Sequence, residues 1–157
     1  MTLFAGLAAL LLAQAPLSGG VAVERLPFDP AKLEGLTKAE VRVTEDGHSV
    51  TYSGVALAGL LERRGKGTTT MAGLRALSDA IVLVRGTDGY QAAVSAAAVA
   101  MDPKGERYLI ALARDGKPLD PGQGPFRLIV PADPKHARWV KNVASIRLVR
   151  LDGLPEN

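Results

Sequence analysis

The residues of this chain whose types suggest chemistry are grouped in one basic segment, residues 133–139, which reads Asp-Pro-Lys-His-Ala-Arg-Trp. Lys135, His136 and Arg138 supply cationic or hydrogen-bonding groups, and Trp139 supplies an aromatic anchor. An arginine binds phosphate through two parallel N–H donors, and a lysine acts as a point charge. The segment therefore predicts a binding site for a small anion. The alternative places Trp139 in the core and the cations in solvent.

The charge around this segment supports an anionic partner. Residues 125–150 contain six Lys or Arg side chains and one acid, Asp133, whereas the whole chain has a formal net charge of only +3. A basic region of this kind attracts anions, although a solvated strand face with scattered cations would look the same. Aromatic residues are not interleaved with the charges, so the sequence does not predict nucleic-acid binding.

No set of residues predicts catalysis or metal binding. The two histidines, His48 and His136, have no carboxylates at metal-ligand spacing, and His48 beside a turn is expected to be solvated. The chain has no cysteine, which excludes disulfides, a thiolate nucleophile and a thiolate–metal site. Several aspartates sit at or near turns beside Gly or Pro, where Asx-turn geometry is their default role. These are Asp88, Asp102, Asp115, Asp120 and Asp133.

The first residues are typical of a targeting segment. Residues 3–15 are almost wholly apolar, and this run is shorter than the roughly 20 residues that a helix needs to span a bilayer. We predict a secretory signal peptide over residues 1–22, a periplasmic or secreted location, and no integral membrane span after cleavage. No twin-arginine pair lies in or before this apolar run. The alternative is a buried N-terminal helix.

The rest of the chain is predicted to be one domain. Residues 23–40 include Pro27 and Pro30 and show no clear period, so we interpret them as an irregular lead-in. Residues 41–150 are the predicted domain, and residues 151–157 are a C-terminal tail.

Within the domain, strand patterns alternate with tight turns and short helices. Asp-Gly turns follow residues 45, 87 and 114, and each is flanked by a strand pattern. Helical spacing of apolar residues predicts a helix over residues 55–64 and a shorter one over 71–81, and Ser95 is expected to cap a helix through residue 101. This mixture predicts an α+β fold with a mixed, mainly antiparallel sheet.

Four motifs occur in a fixed order along the chain. They are Asp88-Gly89-Tyr90, Asp115-Gly116-Lys117-Pro118-Leu119, Gly124-Pro125-Phe126-Arg127-Leu128-Ile129-Val130-Pro131 and Arg138-Trp139. Together with Tyr52-Ser53-Gly54-Val55 upstream, this order resembles the oxidoreductase molybdopterin-binding domain, which has the sulfite oxidase fold.

The resemblance implies a cofactor site at the basic segment. By family analogy, Lys135, His136 and Arg138 would lie against the pterin and its phosphate, with Arg138 at the family's lysine position. The family's molybdenum-ligating cysteine has no counterpart here. The resemblance also implies export of a folded, cofactor-loaded protein through a twin-arginine signal, which this chain lacks. Molybdopterin is thus a cofactor by analogy only.

These observations predict an exported domain that binds a small anionic ligand or a partner protein and performs no molybdenum redox chemistry. The alternatives are a genuine molybdopterin-dependent oxidoreductase, or a subunit of one, and a structural or redox-partner subunit without a ligand. The fold is oxidoreductase-like, and the sequence leaves enzymatic activity open.

Overall fold

The structure, a computed structural model, describes residues 21–65 and 68–152. Most of the predicted signal peptide (residues 1–20) and most of the predicted tail (residues 153–157) lie outside these described residues. Within the described part of the chain, no helix is long and apolar enough to cross a membrane.

Strands dominate the described residues, and the helices between them are short. In chain order the elements are β1 (Val23–Leu26), α1 (Pro30–Leu33), β2 (Lys38–Glu45), β3 (His48–Ala56), α2 (Ala58–Arg64), α3 (Met71–Arg75), β4 (Ala80–Gly86), β5 (Gln91–Ser95), α4 (Ala96–Ala100), β6 (Leu109–Arg114), β7 (Lys117–Pro118), β8 (Arg127–Ile129) and β9 (Val143–Arg150).

The strands form two sheets. The first has the order β1-β9-β4-β5; the second has the order β2-β3-β6-β7, with β8 also paired to β6. Every pairing between these strands is antiparallel. The prediction of an α+β fold with a mainly antiparallel sheet is therefore confirmed.

Two of the three predicted Asp-Gly turns have the backbone geometry of tight hairpins. Asp46 and Gly47 have φ values of 49° and 79°, and Asp115 and Gly116 have 50° and 74°. Positive φ at both central residues gives a twist that matches the flanking strands. These turns join β2 to β3 and β6 to β7. In the third, between β4 and β5, Gly89 has a φ of 87°.

The interpretation of residues 23–40 as irregular is wrong. Val23–Leu26 forms β1, which pairs with the last strand, β9. Pro30 begins α1, and the side chain of Asp29 caps this helix by accepting from the Lys32 amide at 3.1 Å. Four residues show too little alternation for a strand to be recognised from the sequence. The partner strand β9 also lies more than a hundred residues away along the chain.

The predicted start of the helix over residues 55–64 is also wrong. Val55 and Ala56 belong to β3, where they pair with Ile110 and Leu109 of β6, and α2 begins only at Ala58. The next predicted helix ends at Arg75, and Ile81 lies in β4. Short apolar runs fit a buried strand as well as a helix. The predicted cap of α4 is confirmed, since the Ser95 hydroxyl accepts from the Ala98 amide at 3.3 Å.

The basic segment lies in a loop that is closed by strand-like hydrogen bonds. The chain leaves β8, and Val140 then returns beside Leu128, with the amide of each donating to the carbonyl of the other at 2.9 and 3.3 Å. Both residues are fully buried. Residues 133–139, which we call the basic loop, are therefore held at both ends by the core of the second sheet.

Candidate functional site at the basic loop

One ion pair inside the basic loop fixes its shape. The Arg138 guanidinium donates from Nε to Oδ2 of Asp133 at 2.8 Å, and its terminal nitrogen contacts Oδ1. The Arg138 amide also donates to Oδ2 at 3.0 Å. Asp133 is only 9% exposed. This aspartate, which the sequence suggests is a turn residue, therefore also neutralises the arginine that the resemblance assigns to a cofactor.

This pair predicts a pH dependence of stability. Hydrogen bonding by Arg138 holds the pKa of the Asp133 carboxyl below its ordinary value of 3.8. The stabilisation is present above that ordinary value and is lost as the pH falls through the lowered pKa of the folded state. The melting temperature of the wild type should fall between pH 5 and pH 2. We expect it to fall by a smaller amount in the Asp133→Asn variant. Equal drops in both proteins would contradict this assignment.

His136 and Trp139 form a stacked pair on the loop. Their ring centroids are 3.7 Å apart with an interplanar angle of 14°, and His136 adopts a left-handed φ of 54°. Trp139 is 5% exposed, and its indole Nε1 donates to the Val130 carbonyl at 2.7 Å. The part of the alternative that places Trp139 in the core is confirmed, whereas Arg138 is paired with Asp133 and is not simply solvated. The indole ring of Trp139 packs face to face against the imidazole ring of His136.

Lys135 differs from its two neighbours. It is exposed and makes no hydrogen bond or ion pair with the described residues. Of the three predicted cofactor-binding residues, Arg138 has an internal counter-ion, His136 has an aromatic partner, and Lys135 is free. The structure places all three residues in one loop, but Arg138 is already bound to Asp133 and His136 is already stacked on Trp139.

A group of charged and aromatic residues that the sequence analysis missed lies behind the loop. Glu45, Tyr52, Arg114 and Arg127, which we call the arginine cluster, come from four strands of the second sheet. The Tyr52 hydroxyl donates to Glu45 Oε1 at 2.8 Å and accepts from Arg127 at 2.6 Å. Arg114 donates to Glu45 Oε2 at 2.9 Å. Arg127 lies 3.7 Å from Glu45 and also contacts the Gln123 side chain.

The arginine cluster has an excess of positive charge. Two guanidinium groups share the single carboxylate of Glu45, and Arg127 is only 5% exposed. In the described part of the chain, the Nε atoms of Arg114 and Arg127 are buried without a hydrogen-bond partner. Burial lowers the pKa of Arg127, and burial with the Glu45 hydrogen bond raises the pKa of Tyr52 to about 12. Tyr52 is therefore a neutral phenol at any physiological pH.

Trp139 connects the cluster to the loop. The Arg127 guanidinium carbon lies 5.1 Å from the centre of the Trp139 ring, within the range of a cation–π interaction. Tyr52 meets the same ring edge-on at a centroid distance of 5.8 Å. The face that the loop presents to solvent is thus backed by buried positive charge.

A cleft of about 530 Å³ separates the basic loop from the β2–β3 hairpin. His136 and Trp139 form one wall, and Arg42, Thr44 and Ser49 form the other. Arg42 is exposed on the edge strand β2 and makes no ion pair with the described residues. Lys135 and Arg138 do not line this cleft. The lining residues of the cleft therefore include one arginine without an ion pair among the described residues, one histidine and two hydroxyl-bearing residues.

A second cleft, of about 560 Å³, lies elsewhere on the second sheet. It is bounded by α1 and by strands β2, β3 and β6, and Glu34, Lys38 and Glu40 are its charged residues. Acids outnumber the single cation there, and no histidine or aromatic side chain lines it. We therefore place the anion site at the basic loop, although the other cleft is slightly larger.

The sequence model described as the oxidoreductase molybdopterin-binding domain matches residues 33–152. The chain belongs to this family. No curated protein matches the chain. The match includes both strands of the hairpin, the arginine cluster and the basic loop, so this oxidoreductase molybdopterin-binding domain contains the region where the resemblance implies a cofactor.

The residues of this molybdopterin-binding domain do not fit a thiolate-held molybdenum. The 157-residue sequence has no cysteine. Within residues 21–65 and 68–152, no three His, Asp or Glu side chains are grouped so that they could hold a metal ion. Ligand softness sets metal preference, so the hydroxyl and imidazole groups of the cleft do not replace a thiolate.

Proposed function

We propose that this member of the family is an exported binding module that takes a small anionic ligand in the cleft beside the basic loop and performs no molybdenum redox chemistry. The observation that supports it best is that Arg42, a cation without an ion pair among the described residues, lines the same cleft as the His136–Trp139 stack. A guanidinium suits the two oxygens of a carboxylate or phosphate. The hydroxyl groups of Thr44 and Ser49 add donors for the same oxygens.

The charges around the cleft favour an anion over a cation. Asp133, the one acid in the lining, is neutralised by Arg138. Lys135 is free on the adjacent loop, and the arginine cluster behind Trp139 holds two guanidinium groups against one carboxylate. A buried charge acts through a lower dielectric than water and is screened little by salt. The ligand is therefore expected to be an oxyanion small enough for a cleft of about 530 Å³.

One further part of the proposal, export, rests on the sequence. The apolar residues 3–15 support export to the periplasm or the outside of the cell. The alternative function is a molybdopterin-dependent oxidoreductase or a subunit of one, and family membership favours it. That alternative requires a molybdenum ligand set that the 157 residues do not provide as a thiolate.

A titration of tryptophan fluorescence tests the binding site. Trp139 is the only tryptophan of the chain, so its emission reports on the cleft directly. Inorganic phosphate, sulfate and small carboxylates are the probes. We expect a saturable change for at least one of them. Arg42→Ala should weaken binding about tenfold, because a hydrogen bond to a charged group contributes about 1.5 kcal/mol.

The remaining variants make the titration specific. Lys135→Ala should weaken binding by a smaller factor, since this side chain lies outside the lining. Lys104→Ala, which removes an exposed lysine elsewhere, is the matched control and should bind like the wild type. The proposal fails if no anion changes the emission, or if the Arg42 and Lys104 variants bind equally well.

A further inference from the structure

One face of the first sheet is open to solvent and has an unusual composition. Alternation along the strands places Val23, Val149 and Ile81 in one cross-strand row, because Val23 pairs with Val149 and Val149 pairs with Ile81. Val23 is 54% exposed, and Ile81 and Val149 are partly exposed. Leu83, also partly exposed, extends the apolar surface along β4. We call this surface the outer face.

Three arginines share the outer face with these apolar residues. They are Arg25 on β1, Arg147 on β9 and Arg85 on β4. None of the three forms an ion pair with a described residue; the nearest polar contact is from Arg147 to the Ser145 hydroxyl at 3.5 Å. The other outward positions of these four described strands are Ser, Ala or Gln, so no acid compensates the charge.

The pairing of Arg25 with Arg147 is unfavourable by itself. The two residues are direct cross-strand partners. Like charges at directly opposite positions of an antiparallel pair destabilise it. An anionic surface placed against the outer face would remove this repulsion. The register of β1 and β9 therefore points to an anionic occupant.

We propose that the outer face docks on an anionic lipid bilayer. Val, Ile and Leu side chains would contact the interface, and the three arginines would pair with lipid phosphates. A polybasic surface gains about 1 kcal/mol of attraction, or roughly a fivefold increase in affinity, for each cation near an anionic membrane. This inference concerns a different surface from the anion cleft and does not depend on the proposed function.

Two observations favour a bilayer over other occupants. A second copy of the chain would place arginines against arginines and is disfavoured by charge. The chain outside the described structure also points to a membrane, because in the uncleaved chain the apolar, uncharged residues 3–15 connect through residues 16–22 to β1, an edge strand of this sheet. A segment of that composition favours a bilayer over water. The outer face would then meet the membrane beside it.

The absence of cysteine allows a site-specific test in the full chain. A single thiol introduced by Ala93→Cys, at an exposed outward position of β5, can be labelled with an environment-sensitive fluorophore. The matched control is Lys117→Cys on β7 of the other sheet. Each labelled protein is titrated with vesicles of phosphatidylcholine alone and with vesicles containing 30 mol% phosphatidylglycerol.

We expect the label at position 93 to shift to shorter wavelength on the anionic vesicles only, and the label at position 117 to stay unchanged. Replacing Arg25, Arg85 and Arg147 with Gln should weaken binding about a hundredfold, whereas replacing Arg75, Lys104 and Lys117 with Gln should have little effect. The proposal is overturned if the label at position 93 remains in a water-like environment on anionic vesicles, which would leave the face to a protein partner or to solvent.

Discussion

Replacing Glu45 with alanine should lower the free energy of unfolding by about 3 kcal/mol. Among the described residues, Glu45 is the only carboxylate that forms an ion pair with Arg114 or Arg127. Its removal would leave Arg127, which is 5% exposed, with neutral partners only. Deleting one partner of a buried ion pair typically costs 3–5 kcal/mol because the remaining charge stays buried. Urea denaturation followed by circular dichroism measures the loss.

The control for this prediction lies on the same strand. Glu40 also belongs to β2 but is exposed on the opposite side, so Glu40→Ala should change stability by less than about 0.5 kcal/mol. If the Glu45 and Glu40 variants unfold at the same urea concentration, the arginine cluster has no role in stability, and the buried positive charge invoked behind the cleft is not supported.

Trp139→Ala should destabilise the protein by about 3–5 kcal/mol and abolish anion binding in the cleft. Removal of a buried tryptophan loses its contact area and leaves a cavity. It also removes the cation–π partner of Arg127, the edge-on partner of Tyr52 and the platform for His136. Because this variant has no tryptophan, circular dichroism measures its stability and calorimetry measures its binding.

A conservative variant separates packing from binding. Trp139→Phe keeps an aromatic ring against Arg127 and His136 but loses the hydrogen bond to the Val130 carbonyl. It should cost less than the alanine variant, about 1–2 kcal/mol, and should retain weakened anion binding. A phenylalanine variant as unstable as the alanine variant would show that the hydrogen bond, and not the stacked ring, holds the loop.

The parts of the fold that the sequence predicts are those set by local chemistry. Asp46-Gly47 and Asp115-Gly116 adopt the expected positive φ values, and Ser95 caps α4, because each depends on neighbouring residues only. Strand β1 could not be found in this way. Its four residues are stabilised by pairing with β9 at the other end of the chain.

The candidate site was predicted in part. The charges in the sequence predict the basic loop, but the internal pairing of Arg138 with Asp133 depends on how the loop closes. By its charge alone, Arg127 is one of six cations in residues 125–150, but it stands in an apolar strand in which all three residues are buried. A charged residue in such a strand needs a buried partner, and that signal in the sequence could have predicted the arginine cluster.

The metal and pterin content of the exported protein decides between a binding module and an oxidoreductase. The full precursor would be expressed in a host that makes molybdenum cofactor, and the protein from the exported fraction would be analysed for molybdenum by mass spectrometry and for oxidised pterin by fluorescence. We expect neither to be present in stoichiometric amount. One molybdenum and one pterin per chain would contradict it and would restore the oxidoreductase interpretation.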